Sequence, residues 1–341
     1  MPDQSHNQSS QRVDATLFLH PQTLARLGTF ELRAKTIVEG VMSGMHRSPY
    51  QGVSVEFAQH RAYSPGDDIR HLDWKVYGRT DRLHLKQYQQ ETNLDLTLLV
   101  DVSGSMNFGT CSFAAASGAG RTTSPDGRVY WSKFDHATAV AAAMAYVTLK
   151  QRDRVGMMTY ADDVVTIVNR SNQQAAWRQI VAALSGSAVD RKSDIRRSVE
   201  RALAKFTNRA LVVIISDFFE DMDAIRAAIA RIRHRGHDAA LFQVVDPAEI
   251  EFDPARLGHS ASASGVTMFE GLEGEPRLRL DPRAIRESYR QAFGAHNAEL
   301  DRLARASGFD YHQFVTGDWL GPALAAFIAR RNAQLKRMKY G

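Results

Sequence analysis

The fold is decided by a strand and the turn after it, Leu94-Asp95-Leu96-Thr97-Leu98-Leu99-Val100 followed by Asp101-Val102-Ser103-Gly104-Ser105. A short apolar run that ends in a Ser- and Gly-rich turn predicts a buried strand of a parallel sheet. The turn offers one carboxylate and two hydroxyls at alternate positions, so these side chains converge if the turn is extended. Hard oxygen ligands suit a small cation such as Mg²⁺, and open α/β sheets bind ligands at the carboxyl ends of their strands.

Two later segments supply oxygen ligands that can join this turn. A second apolar strand, Ala210-Leu211-Val212-Val213-Ile214-Ile215, ends in Ser216-Asp217, and Lys192-Ser193-Asp194 opens a helix between the two strands. Ser193 as a helix N-cap and Asp217 as an acid before the next helix are the purely structural interpretations. The ion would be Mg²⁺, or else Mn²⁺ or Ca²⁺, with water completing the shell. The predicted metal ligands are Asp101, Ser103, Ser105, Ser193 and Asp217.

From residue 94 onward the pattern alternates between strands and helices. Such alternation predicts an α/β fold with a doubly wound, mostly parallel sheet and helices on both faces. The strands at 154–160 and 164–169 are separated by a short turn, so we expect a hairpin with an antiparallel edge. We expect a disordered tail over 1–15, an N-terminal helix with a small β-rich unit over 16–93, and the α/β domain with its basic C-terminal helix end over 94–341.

Two stretches interrupt the regular alternation. Residues 107–132 are rich in small side chains, and their length predicts a mobile loop beside the metal site that shapes access to it. Residues 253–275 are rich in Ser, Gly and Ala, and we interpret them as a surface excursion between the last two strands.

The composition limits the cellular location and the chemistry. The chain has 341 residues, of which 44% are hydrophobic, so it can bury one large core and a smaller one. It has no apolar run of the roughly 18 residues that a membrane span needs, and residues 1–12 are polar. We therefore expect a cytoplasmic location. The single cysteine, Cys111, excludes an internal disulfide.

The net charge of +5 comes from the C-terminal end, because residues 320–341 contain five basic residues and no acid. The simpler explanation is that the helix dipole favours cations at a helix C-terminus. The alternative is contact with an acidic partner, or peripheral contact with an anionic membrane surface. We expect no nucleic-acid partner, because no reader motif and no basic stripe with interleaved aromatic residues is present.

Motifs before the sheet resemble a bacterial protein family. Gly44-Met45-His46-Arg47-Ser48-Pro49, and later Arg61-Ala62-Tyr63-Ser64-Pro65-Gly66-Asp67-Asp68-Ile69-Arg70-His71-Leu72-Asp73-Trp74-Lys75, are similar to the family called domain of unknown function 58. The five predicted ligands resemble the metal-ion-dependent adhesion site of von Willebrand factor A-type domains, with Ser193 where that family usually has Thr. The resemblance runs from about Glu39 to about Arg330. It implies a von Willebrand factor A-like domain preceded by a β-rich segment.

The resemblance also implies a partner rather than a reaction. Members of the family are commonly encoded beside MoxR-type AAA+ ATPases, and no enzymatic activity is established for them. The hypothesis is a non-enzymatic, Mg²⁺-dependent protein-binding module that acts as an accessory of such an ATPase in the assembly or remodelling of protein complexes. A cation held by two carboxylates and neutral hydroxyls keeps positive character and an open position. An Asp or Glu of the ATPase, or of its client protein, can fill that position.

Two other functions are open to this sequence. One is a metal-dependent phosphohydrolase that uses Asp101 as its nucleophile. Against it, Ser103 stands where such enzymes commonly need a second acid, and no lysine is obviously placed to neutralise a phosphoryl group. The other is a structural scaffold that holds no metal.

Overall fold

The computed structural model describes residues 59–62, 74–87, 95–112, 122–123, 129–206, 208–252, 266–321, 323–324, 326–328 and 330–331. The tail expected over 1–15, the N-terminal helix and the motif over 44–49 lie outside these residues. The chain divides into two compact units, of which one comprises 49–93 and the other contains the described residues from 95 onward.

Short β-branched and apolar runs form the strands. In chain order the strands are β1 (Gln59–Ala62), β2 (His84–Gln87), β3 (Asp95–Asp101), β4 (Cys111–Ser112), β5 (Thr122–Thr123), β6 (Val129–Trp131), β7 (Arg154–Tyr160), β8 (Val164–Ser171), β9 (Leu211–Ser216), β10 (Asp238–Val245), β11 (Thr267–Phe269), β12 (Leu278–Leu280) and β13 (Asp310–Val315).

Segments with helical periodicity form most of the helices, and several begin at a capping side chain. In chain order the helices are α1 (Trp74–Thr80), α2 (Lys133–Lys150), α3 (Gln174–Ser185), α4 (Ile195–Leu203), α5 (Met222–His234), α6 (Pro247–Glu251) and α7 (Pro282–Ala306).

The unit over 49–93 contains a two-stranded antiparallel sheet. β1 pairs with β2 in a register that places Gln59 opposite Gln87 and Ala62 opposite His84. α1 lies between these two strands in the chain.

The main unit is built on a six-stranded sheet with the order β13-β10-β9-β3-β7-β8. All neighbouring strands are parallel except β7 and β8, which form the expected antiparallel hairpin at one edge. Because parallel neighbours need a crossover, the helices lie between the strands in sequence and cover the sheet. The prediction of a doubly wound, mostly parallel α/β fold is confirmed.

Two hydrophobic cores lie on the two faces of this sheet. Alternate residues of a strand point to opposite faces, so Leu98 packs in one core and Leu99 in the other. The first core contains the alanine-rich α2 and the second contains apolar residues of α4, α5 and α7. The small side chains of α2 allow it to lie close to the sheet, and almost all of its residues are buried.

The two irregular stretches contain more structure than expected. The described parts of 107–132 include β4, β5 and β6, which form a small sheet in the order β4-β6-β5, and the Trp131 side chain of β6 is buried. These strands are not part of the expectation of a loop over 107–132, and its mobility stays a prediction. β11 lies in the stretch expected as a surface excursion, and it pairs with β12, just after that stretch, as an antiparallel hairpin with Thr267 opposite Leu280.

The C-terminal helical residues pack on the first core through Leu320, Leu324 and Phe327. Arg331 forms ion pairs with Asp238 and Asp310. Part of the basic C-terminal charge is therefore neutralised within the chain. The remaining basic residues beyond 331 lie outside the described residues.

Candidate functional site

The candidate site lies at the carboxyl edge of the central sheet. β3 and β9 are parallel neighbours with Val100 opposite Ile215, so Asp101 and the residues after β9 emerge side by side. The Ser216 hydroxyl donates a hydrogen bond of 2.6 Å to Asp101 Oδ2. The sheet topology therefore brings together the ends of β3 and β9, the two strands that precede predicted metal ligands.

The turn after β3 converges as its spacing predicts. The Ser103 N–H donates to Asp101 Oδ1 at 2.8 Å, and the Ser103 and Ser105 hydroxyl oxygens are 3.1 Å apart. Asp101 and Ser103 are buried, and Ser105, in the 3₁₀ turn Gly104–Asn107, is half-buried. The structure thus places one carboxylate and two hydroxyls in one contiguous cluster.

The loop that carries Ser193 is held beside this turn by the backbone. The Gly104 N–H donates to the Arg191 carbonyl oxygen at 2.7 Å. The Ser193 hydroxyl donates to Glu220 Oε1 at 2.5 Å, and the same carboxylate accepts from the Ile195 N–H. The N-cap of α4 is Asp194, so the alternative interpretation of Ser193 as the N-cap is wrong.

Asp217 is engaged by a lysine that the sequence analysis did not find. Lys133 Nζ donates to Asp217 Oδ2 at 2.7 Å and to Glu249 Oε1 at 2.6 Å. Asp217 Oδ1 accepts from the Phe219 N–H at 3.1 Å. The N-cap of α5 is Asp221, and Asp217 precedes this cap in the chain.

Lys133 reaches the sheet edge because it is the first residue of α2. Ser132 and Asp135 form a capping box that fixes the start of the helix. This Ser-x-x-Asp pattern is visible in the sequence and would have placed Lys133 at the helix start. Its partners Asp217 and Glu249 are 84 and 116 residues away in the chain, so only the fold reveals the ion pairs.

Burial dominates the electrostatics of the site. The pKa of the Asp101 carboxyl is raised to about 7, first by burial and then by the Asp217 carboxylate, while hydrogen bonds from Ser216 and Ser103 oppose the rise. Burial also raises the pKa of Glu249 to about 7, although Lys133 opposes this. Burial works to lower the pKa of Lys133, but Asp217 and Glu249 together raise it above its usual value.

These donors match the chemistry of a divalent cation in part. All five predicted ligands offer hard oxygen atoms, and a cation would relieve the repulsion between Asp101 and Asp217. However, Ser193 and Asp217 already contact Glu220 and Lys133. In the part of the chain that the structure describes, no group of three or more His, Cys, Asp or Glu side chains is placed to hold an ion. The predicted set has two carboxylates and depends on hydroxyls for the rest.

A second residue missed by the sequence analysis is Glu273, in the turn between β11 and β12. Glu273 Oε1 accepts from the Ser105 N–H at 3.1 Å, and Glu273 Oε2 accepts from the Ser193 N–H at 3.3 Å. One carboxylate therefore joins the two loops that carry predicted ligands. The surrounding sequence is rich in Gly and Glu and gives no signal of this contact.

A cavity of about 310 Å³ opens beside Glu273. Ser105, Lys133 and Glu249 line its polar side, and Phe219, Phe252 and Tyr289 line its apolar side. The Lys133 ammonium lies 4.6 Å from the centroid of the Phe219 ring. The edge of the sheet thus combines backbone N–H donors with an apolar recess.

Most of the chain matches a known protein family. Residues 59–299 match the sequence profile of a family described as protein of unknown function DUF58. The chain belongs to the DUF58 family. This match confirms the resemblance that the sequence motifs indicate. Uncharacterized proteins of Mycobacterium tuberculosis and Mycobacterium bovis are 28% identical to this DUF58 chain over 324 residues, which cover 92% of both sequences.

Solved structures similar to this DUF58 protein include one VWA domain and several bacterial proteins. BatB from Bacteroides thetaiotaomicron is 14% identical, with 71% of this chain and 99% of that chain covered and a TM-score of 0.41. An aerotolerance-related membrane protein from Bacteroides fragilis is 16% identical, with 70% and 99% covered and a TM-score of 0.42. The SpRpn10 VWA domain is 11% identical, with 69% and 94% covered and a TM-score of 0.35.

The cytoplasmic location expected from the sequence is contradicted by these comparisons. Similar structures are named as an aerotolerance-related membrane protein and, in Vibrio fischeri, as an uncharacterized membrane spanning protein. Among the helices that the structure describes, none is long and apolar enough to cross a bilayer. The expectation rested on the lack of a spanning segment, and that lack does not fix a location.

Proposed function

We propose that this DUF58 chain is a non-enzymatic protein-binding module that captures an acidic side chain of a partner at the carboxyl edge of its sheet. The observation that carries the proposal is the docking of a carboxylate, that of Glu273, on the Ser105 and Ser193 N–H groups. Backbone N–H groups in rigid loops recognise an anion at little entropic cost, because they are fixed before binding.

The residues around these donors have separate roles in the proposal. Asp101 orients the turn, because its carboxylate accepts from the Ser103 N–H and from the Ser216 hydroxyl. Asp101, Ser103, Ser105, Ser193 and Asp217 would hold Mg²⁺, Mn²⁺ or Ca²⁺. When bound, the ion would add positive charge that favours an incoming carboxylate. Lys133 forms ion pairs with Asp217 and Glu249, and Lys133 and Glu249 line the cavity.

The partner in this proposal is a MoxR-type AAA+ ATPase or its client protein, and the basis for it is the family resemblance. A phosphohydrolase is less well supported. Ser103 occupies the position of a second acid, and Lys133 is neutralised by two carboxylates rather than facing a phosphoryl group. We therefore propose binding rather than catalysis.

Thermal unfolding with and without Mg²⁺ tests this function. At a Mg²⁺ concentration about tenfold above Kd, an ion that binds only the folded chain adds about 1.4 kcal/mol to the free energy of unfolding. Asp101→Ala and Asp217→Ala should abolish this increment, and Asp190→Ala, which changes an exposed acid of a nearby loop, should keep it. Capture of the ATPase should weaken in chelator. An increment that survives Asp101→Ala would contradict the proposed ion site.

A further inference from the structure

The turn between β11 and β12 is fastened to its own hairpin. Phe269 pairs with Leu278 at the base of the turn, and Arg277 forms an exposed ion pair with Glu270 at 2.7 Å. Within the turn, the Glu273 N–H donates to Glu275 Oε2 at 3.0 Å. These contacts fix the direction in which the Glu273 side chain leaves the turn.

The same turn is seated directly on the candidate site. A Cβ atom added at Gly104 would meet the Leu272 carbonyl oxygen well inside van der Waals contact and would lie 3.3 Å from Glu273 Cγ. Glycine at 104 therefore allows the two backbones to approach closely. The Glu273 carboxylate then bridges the Ser105 and Ser193 N–H groups from this position.

The apolar side of the turn fits its recess incompletely. Leu272 remains 49% exposed, although it borders the cavity of about 310 Å³. Aromatic rings form the facing wall, where Phe252 stacks on Tyr289 with ring centroids 4.3 Å apart and lies 6.1 Å from Phe269. A larger apolar side chain in the place of Leu272 would fill space that the turn leaves open.

We propose that the turn 270–277 is a built-in ligand of this site, and that the protein partner presents the same chemistry in a better-fitting form. The partner segment would carry a glutamate on a glycine-flanked turn, preceded by a bulky apolar residue that enters the aromatic recess. Binding of the partner requires displacement of the Glu273 turn. This inference rests on the proposed function and specifies the ligand that the site selects.

A peptide with the sequence of residues 266–280, labelled with a fluorophore, tests the inference by anisotropy against the full chain. In the wild type the tethered turn competes with the peptide for the site at an effective concentration of roughly 1 mM. If the peptide binds the site without the turn with a Kd of about 0.1 mM, this competition weakens the observed binding about tenfold. Glu273→Gln and Glu273→Ala should therefore bind the peptide about tenfold more tightly than the wild type. Glu287→Gln makes the same change at an exposed glutamate of α7, outside the turn, and should bind like the wild type.

Substitutions in the peptide provide a second test of the inference. The same peptide carrying Glu273→Gln should lose binding to the Glu273→Ala protein, and a peptide carrying Leu272→Trp should bind more tightly than the unmodified one. Equal binding of the Glu and Gln peptides would overturn the inference, as would equal binding of the unmodified peptide to the wild type and to both Glu273 variants.

Measurements in Mg²⁺ and in chelator separate this inference from the ion site. If the Glu273 variants gain peptide binding equally in both, the built-in ligand stands and the Mg²⁺ dependence in the proposed function is wrong. If no variant binds the peptide while Mg²⁺ still stabilises the wild type through Asp101, the built-in ligand is wrong and the ion site stands.

Discussion

Lys133→Met is the perturbation with the clearest energetic consequence. The Lys133 side chain is 1% exposed and bonds to Asp217 at 2.7 Å and Glu249 at 2.6 Å. Removing one member of a buried ion-pair network costs about 3–5 kcal/mol, because the remaining charges stay desolvated without a partner. Glu249 has a pKa of about 7 and can take up a proton, so we expect the lower end of this range, about 3 kcal/mol.

Urea unfolding at pH 8, followed by circular dichroism, measures this loss. The matched control is Lys150→Met, which makes the same change at the other, exposed end of α2 and should stay within about 0.5 kcal/mol of the wild type. Adding Glu249→Gln to Lys133→Met removes one buried carboxylate that has lost its partner. The double variant should recover about 1–2 kcal/mol of the free energy of unfolding. A cost for Lys133→Met no larger than that of Lys150→Met would refute the assignment of a buried cation network.

Three further predictions follow from single contacts. Burial lowers the pKa of His136 to about 3, so the ring stays neutral in the folded chain. The unfolded chain takes up a proton on this residue below about pH 6.5, so the folded chain loses stability as the pH falls. His136→Gln should remove about 2 kcal/mol of the loss in unfolding free energy measured between pH 7.5 and pH 5. Gly104→Ala should displace the 270–277 turn and speed amide hydrogen exchange over 266–280, whereas Gly294→Ala, in an open part of α7, should leave that exchange unchanged. Ser193→Ala removes the hydroxyl bonded to Glu220 and should cost about 1–2 kcal/mol in urea unfolding, whereas Ser193→Thr should cost less than half as much.

The architecture of the main sheet was predictable from the sequence because its strands are buried. Strands of a parallel sheet that are buried on both faces are mostly apolar, so β3 and β9 stand out as apolar runs such as Leu211–Ser216. The order of strands and helices then limits the topology. The convergence of Asp101, Ser103 and Ser105 was also predictable, because Asp101 ends β3 and both serines lie in the turn after it.

The rest of the site depends on contacts between distant parts of the chain. The capping box marks Lys133 as a helix start, but nothing in the local sequence of Lys133 or Glu273 shows that either contacts the site, and Glu273 is 168 residues from Ser105. The small sheet within 107–132 includes the buried Trp131. The many small residues of this segment gave no indication of a sheet. In contrast, α6 has a readable start, because Pro247 follows the capping residue Asp246, and this signal was overlooked.

Anomalous diffraction from crystals grown with Mn²⁺ tests most directly whether the sheet edge holds a cation beside a docked carboxylate. We predict an anomalous peak among the oxygen atoms of Asp101, Ser103 and Ser105, with the Glu273 side chain still on the Ser105 and Ser193 N–H groups or replaced there by another acid. A fully ordered edge with no peak at these oxygens, or a Glu273 side chain directed away from both N–H groups, would contradict the account.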